Sequence, residues 1–187
     1  MKRYMLHLKN SHDLNRKMAK DTLRKSRIIT SGMNLTLRDC RVSKKYVEFD
    51  TTISESDLDE LIDKLSIIGP LDHAKHVVEQ NIEKEKAISE GIDYFNNERF
   101  WECHETLEGV WKNCDGNEKF LVQGLILVAA GLVHYQKDED SICINIFNRA
   151  LEKLENSNGK YHDIDIDNIK KIVTKMINSK SVSSFLI

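Results

Sequence analysis

Proline occurs once in this chain, at Pro70, and glycine only eight times in 187 residues. An all-β sandwich needs frequent turns, and turns draw on those two residues. The scarcity therefore favours helices joined by short links. It matters most after Val78, where the chain reads as helical almost to its end. Helices are expected near 80–96, 98–113, 117–136, 140–156 and 165–179. The links "NNER", "CDGN" and "KDED" are short, which implies antiparallel neighbours in a bundle. "NSNGKYHDID" reads as a polar loop, and the tail "SVSSFLI" as an extended segment that docks or frays.

Residues 1–78 differ. In "RYMLHLKN", Tyr4, Leu6 and Leu8 alternate with Met5, His7 and Lys9, the period of a strand. "SHDLNRKMAKDTLRKSR" follows with helical periodicity, and Ser11 is its expected N-cap. "NLTLRDCRVS" and "KYVEFDTTIS" read as a hairpin with Val47, Phe49, Thr51 and Ile53 on one face. "SESDLDELIDKLSII" reads as a helix opened by Ser54, with Leu58, Leu61, Ile62 and Leu65 inward. A last strand is expected in "GPLDHAKHVV" after a turn at Gly69-Pro70. The fold class expected is α+β: a ferredoxin-like β-α-β-β-α-β domain over 1–78, then an all-α helical bundle over 79–187.

Composition narrows the setting. Hydrophobic residues make up 40% and charged residues 31%, enough for a packed core. Cys40, Cys103, Cys114 and Cys143 form no CxxC pair, so neither a zinc ribbon nor a disulfide framework is expected. Free thiols point to the cytoplasm, with Cys103 and Cys143 in the core and Cys114 exposed in a loop. Residues 1–25 lack the apolar run of a signal peptide. The apolar run Phe120–Val133 is shorter than the roughly 20 residues of a membrane span, so no membrane partner is expected.

Two patterns carry candidate function. Through Arg27 the chain holds nine Lys/Arg against two Asp. At ~100° per residue, Arg16, Lys17, Lys20, Arg24 and Arg27 form one stripe, with Leu14, Met18, Ala19 and Thr22 opposite. Such a stripe suits an anionic partner such as nucleic acid, or is a solvated face. No GxxG loop or aromatic base-stacking signature accompanies it.

The second pattern is "FWECHETLEGVW", which holds both tryptophans of the chain. On a helix, Trp101, His104, Glu105, Glu108 and Trp111 fall in one sector about 120° wide, while Glu102, Thr106 and Asn113 face solvent. The helix after it is apolar nearly all round, with Gln123 and His134 as exceptions. Folding the two about "CDGN" sets Glu108 level with Gln123, as a hydrogen-bonded pair, and His104 level with Ile126 and with Gly91. His134 lands near Asn96 and Asn97, roughly 12 Å along at 1.5 Å per residue.

"YFNNERFWECHETLEGVW" and "FLVQGLILVAAGLVH" together resemble the domain-of-unknown-function 309 family over about 90–152. His104, Glu105, Glu108, Trp111, Gln123, Gly124 and His134 match its HE-x-x-E and Q-G-L-I helices in order and spacing. "KDEDSICIN" replaces the small-residue stretch usual after the histidine. The resemblance implies a small helical bundle and brings no established activity.

Three readings stay open. The sector could line a site for a small polar or cationic ligand, with Trp101, His104, Glu105, Glu108, Trp111, Gln123 and His134 as candidates. It could be a purely structural polar knot in the core, leaving an interaction module. It could hold a divalent metal through His104 and Glu108, as a metal-dependent hydrolase would. That reading is disfavoured, since catalytic zinc usually takes three protein ligands and no third is evident. No other cofactor is indicated.

Overall fold

The computed structural model describes residues 1–78 and 82–187. The chain divides into two compact units, Met1–Val78 with Gln136–Asp138, and Glu79–Tyr135 with Glu139–Ile187.

The first unit runs β1 (Lys2–Lys9), α1 (Ala19–Ile29), β2 (Leu35–Val42), β3 (Tyr46–Ile53), α2 (Leu58–Leu65) and β4 (Leu71–His76). The strands form one antiparallel sheet in the order β2-β3-β1-β4. Period-2 alternation sets its inner face. Leu6 lies opposite Phe49 and Leu8 opposite Val47, and across β3 Cys40 and Val42 meet the same two residues. These side chains are buried with Leu61 and Leu65 of α2 and Ala19 of α1. Cross-strand pairs of this kind are what hold an antiparallel sheet in register. The other face is also buried, and its charges are matched. Arg41 Nε donates to Glu48 at 3.1 Å, and Arg3 holds Asp50 at 2.9 and 2.6 Å.

The turn before β4 forms at Gly69-Pro70 as expected. A Cβ on Gly69 would lie 2.2 Å from the Lys9 carbonyl oxygen, so only glycine lets the two backbones pass. Helix entries differ from expectation. Ser11 does not cap α1; its hydroxyl donates to the Lys9 carbonyl. The chain enters instead through a 3₁₀ turn, Arg16–Met18, whose cap is Asn15, accepting from the Lys17 amide. Ser54 stands at the corresponding position of a second 3₁₀ turn before α2, but its hydroxyl bonds Ser56 rather than the backbone.

The second unit runs α3 (Lys84–Asn96), α4 (Phe100–Lys112), α5 (Gly116–Tyr135), α6 (Asp140–Leu154), a two-stranded ribbon β5 (Lys160–Tyr161) and β6 (Ile164–Asp165), and α7 (Ile166–Ser179). The helix expected near 80–96 begins, among the described residues, at Lys84; its expected start and the first residue of the expected second domain lie in 79–81, outside them. The expected polar loop after α6 is the ribbon β5–β6. α5 is the one helix among the described residues long and apolar enough to cross a membrane. It packs tightly on α6: a Cβ on Gly124 would come within 2.5 Å of Leu154, and one on Gly131 within 2.6 Å of the Phe147 ring. The tail docks. Phe185 packs on Phe95 at 5.3 Å, and the Asn96 carboxamide binds both the N–H and the carbonyl of Ile187.

Cys114 is buried rather than exposed, its thiol donating to the Val110 carbonyl at 3.3 Å. Beside it, Glu118 ties three elements together: Lys84 lies 2.6 Å away and the Tyr161 hydroxyl donates at 2.8 Å. The Lys84 ammonium, followed by the Tyr161 hydroxyl, holds the Glu118 carboxyl below the usual carboxylate range against the opposing effect of burial. Burial first, and then the Glu118 carboxylate, push the Tyr161 phenol up.

Two outcomes follow. Gly131→Ala should destabilise the protein by about 1–3 kcal/mol in urea melts through overpacking on Phe147, although alanine is otherwise the better helix former. A carboxyl with a depressed folded-state pKa contributes stability above its unfolded value, and this is lost as pH falls through the folded one. Glu118→Gln should therefore flatten the acid limb of the stability–pH curve below about pH 4.3, read from denaturation midpoints.

Candidate functional site

α4 places its side chains by a simple rule: at 3.6 residues per turn, residues four apart share a face. Phe100, Cys103, Leu107 and Val110 are buried in the hydrophobic core of the second unit. One step round the helix lies the stripe Trp101, His104, Glu105, Glu108 and Trp111, half-buried to exposed. His104 is its centre. Nδ1 stands 3.5 Å from Glu105 Oε1, and Nε2 stands 3.5 Å from Glu108 Oε1. The carboxylates reach solvent, with side chains 41% and 48% exposed, while the imidazole is 25% exposed. Nδ1 is shielded from solvent and makes no hydrogen bond, and the same holds for Trp111 Nε1. One donor atom from each of His104, Glu105 and Glu108 lies within 4.8 Å of the other two. Glu105 is thus the third metal-capable group that spacing alone did not supply; its i,i+1 position hides its reach to the far side of the ring.

Several expectations are corrected. Glu108 and Gln123 make no hydrogen bond to each other: Glu108 points outward and Gln123 is only half-buried. The cluster is therefore no buried knot. Gly91 abuts Leu107, whose Cδ2 lies 3.2 Å from where a Cβ would stand, so it leaves no space at His104. Glu102 does not face solvent. It is 1% exposed, and this is tolerated because Arg99 meets both of its oxygens. His134 stands apart from the stripe in its pairing, with Nδ1 2.7 Å from Glu139. Lys119 lies over the Trp111 ring at 4.7 Å.

The basic stripe, which runs from the 3₁₀ turn into α1, is partly engaged. Arg27 donates to the Leu37 carbonyl at 2.7 and 3.1 Å, Arg24 binds Asp21 at 2.7 Å, and Arg16 reaches Asp138 of the same unit at 2.8 Å. Lys17 and Lys20 are exposed. Of the expected opposite face, Ala19 and Thr22 are buried, whereas Met18 is exposed because it belongs to the 3₁₀ turn.

His73 and His76 point to opposite faces of β4, as strand geometry requires. His73 stacks on His7 at 4.1 Å, and His76 lies against Tyr4 at 5.2 Å.

Because Glu105 and Glu108 are exposed, removing their charge strands no buried group. Glu105→Gln and Glu108→Gln should each move stability by less than about 0.5 kcal/mol, the range of ordinary surface changes, as read by urea denaturation.

The model of a family described as a domain of unknown function, DUF309, matches residues 88–146. The match takes in α4 and α5 with every candidate ligand on them, and none of β1–β4. No curated protein matches the chain.

Proposed function

We propose that the exposed stripe of α4 is a binding site for a small cationic ligand. One observation carries this reading: a single imidazole has a carboxylate oxygen 3.5 Å from each of its nitrogens, and Nδ1 makes no hydrogen bond. A neutral imidazole has one N–H and one lone pair. It can donate to only one of the two carboxylates, and the other then faces the lone pair. A positive charge seated between them relieves that repulsion and satisfies both acids. The half-buried Trp101 and Trp111 flank the place on the same helix, where aromatic faces favour a cation.

The purely structural alternative has less support, since a register-fixing knot draws its worth from burial and these carboxylates are open to water. The hydrolase alternative asks for three protein ligands and an open position. His104, Glu105 and Glu108 supply candidates for the first requirement, and solvent exposure favours the second. An anionic partner such as nucleic acid would rest mainly on Lys17 of the 3₁₀ turn and Lys20 of α1. We read the chain as a cytoplasmic protein of two domains, 1–78 and 79–187. The strand order β2-β3-β1-β4 supports a ferredoxin-like assignment for the first, and the antiparallel succession α3 to α6 supports a bundle for the second.

The tryptophans make the test direct, because the chain has only two and both lie on α4. Titration with a panel of small cations, organic ammonium ions and divalent metals alike, should change their emission saturably. The change should vanish in the double variant Glu105→Gln/Glu108→Gln. A panel without any saturable response, or a response that persists in the double variant, would overturn the reading.

A further inference from the structure

We propose that the cleft where α1 ends and β2 begins binds a small amphipathic anion, a carboxylate or phosphate carried on an apolar body, through Arg27. The cleft measures about 420 Å³ and belongs wholly to the first unit. That is within the size that holds small ligands. Its lining has two characters. Met33 and Leu35 are half-buried against the core beneath the sheet, and Leu37 is buried in it, so these three form an apolar wall. Arg27, Ser31 and Thr36 are exposed and bring a cation and two hydroxyls to the solvent side. Gly32 lies between them at φ +94°, and a Cβ there would have open space around it.

The way Arg27 is held carries the argument. Its Nε and Nη2 donate to the Leu37 carbonyl at 3.1 and 2.7 Å, and Nη2 reaches the Arg38 carbonyl at 3.3 Å. β2 is an edge strand, so its outward carbonyls are there to accept. Both acceptors are neutral. They fix the guanidinium and leave its charge uncancelled, for no carboxylate pairs with it among the described residues. Nη1 is left to donate. An arginine anchored in this way loses little freedom when it takes an oxyanion.

The surroundings have the same sign. From Arg16 to Arg38 the chain carries seven Lys/Arg and one acid, Asp21. Arg24 and Lys25 share that acid at 2.7 and 3.1 Å. Arg16 and Arg38 are matched by Asp138 and Asp50. Lys17 and Lys20 make no ion pair among the described residues and are exposed. Clustered charge of one sign concentrates ligands of the other. The basic stripe therefore leads to a cleft rather than to a plain surface. The apolar wall selects further: a bare inorganic anion would leave Met33 and Leu35 uncovered, and an apolar cation would be repelled.

The test uses the full chain, isotope-labelled for NMR, with backbone amide shifts followed during titration. The probes are octanoate, octyl phosphate, inorganic phosphate, octanol and octylammonium. Saturable shifts centred on residues 27–37 are expected with at least one of the two amphipathic anions, and comparison of the two gives the preferred head group. That anion should bind at least about tenfold tighter than inorganic phosphate, a ratio that two buried methylenes supply, and tighter than octanol or octylammonium. Arg27→Gln should weaken it by about 10–100-fold, the worth of a charge-assisted hydrogen bond. Ser31→Glu sets a like charge at the mouth, leaves the bonds of Arg27 intact and should weaken it about tenfold. Circular dichroism of each variant separates lost binding from lost folding. Equal binding of octanol, or full anion affinity in either folded variant, would overturn the proposal. If no probe shifts these amides, Arg27 serves only to blunt the edge of β2 and the proposal fails.

Discussion

The second unit depends on how closely α5 and α6 approach. Gly124 and Gly131 are seven residues apart on α5, about two turns, and so share a face. Each leaves room for one large α6 side chain, Leu154 and Phe147 respectively. Both of those side chains are fully buried. Dispersion contacts are individually weak and add up only when atoms touch, so two absent methyl groups admit a contact that larger residues would wedge apart. With α5 fixed on one side by α6, its neighbour α4 has a settled core face of Phe100, Cys103, Leu107 and Val110. The stripe bearing His104 is then set by helical rotation alone.

That rotation explains why the stripe is open to chemistry. His104 follows the buried Cys103 by one residue, about 100° round the helix. It sits at the rim: sheltered enough that Nδ1 is shielded from water, and exposed enough that Glu105 and Glu108 keep their solvation. A histidine one position earlier would be a core residue, and one position later a surface one. The rim also accounts for the tryptophans, which are half-buried on either side of the histidine.

Much of this was legible in the sequence, and the exceptions have particular causes. The scarcity of breakers and the 3.6 period located the five helices seen among the described residues of the second unit. Strand alternation located Leu6, Leu8, Val47 and Phe49 on one face of the sheet. Local competition defeated the helix caps, because Asn15 outbid Ser11 with its side-chain oxygen and inserted a 3₁₀ turn. The ribbon β5–β6 is too short to show a period. A helical wheel gives direction but not depth. It therefore grouped Glu108 with Gln123 as a buried pair and sent Glu102 outward, without weighing Arg99 three residues before it. The Glu118 node joins residues 34 and 43 positions away, and no local pattern encodes such a meeting.

The docked tail has a consequence for how the protein is made. Phe95 and the Asn96 carboxamide are synthesised some ninety residues before Phe185 and Ile187, which complete their surroundings. At the ordinary pace of translation, about 5–20 residues per second, the end of α3 waits several seconds for its final partners. During that interval Phe95 lacks one wall of its packing, and the growing chain depends on α4 to cover the rest. Closing the second unit around the end of α3 is thus a late event in synthesis, and a chain stalled before Ser181 would expose an aromatic surface that the docked segment hides.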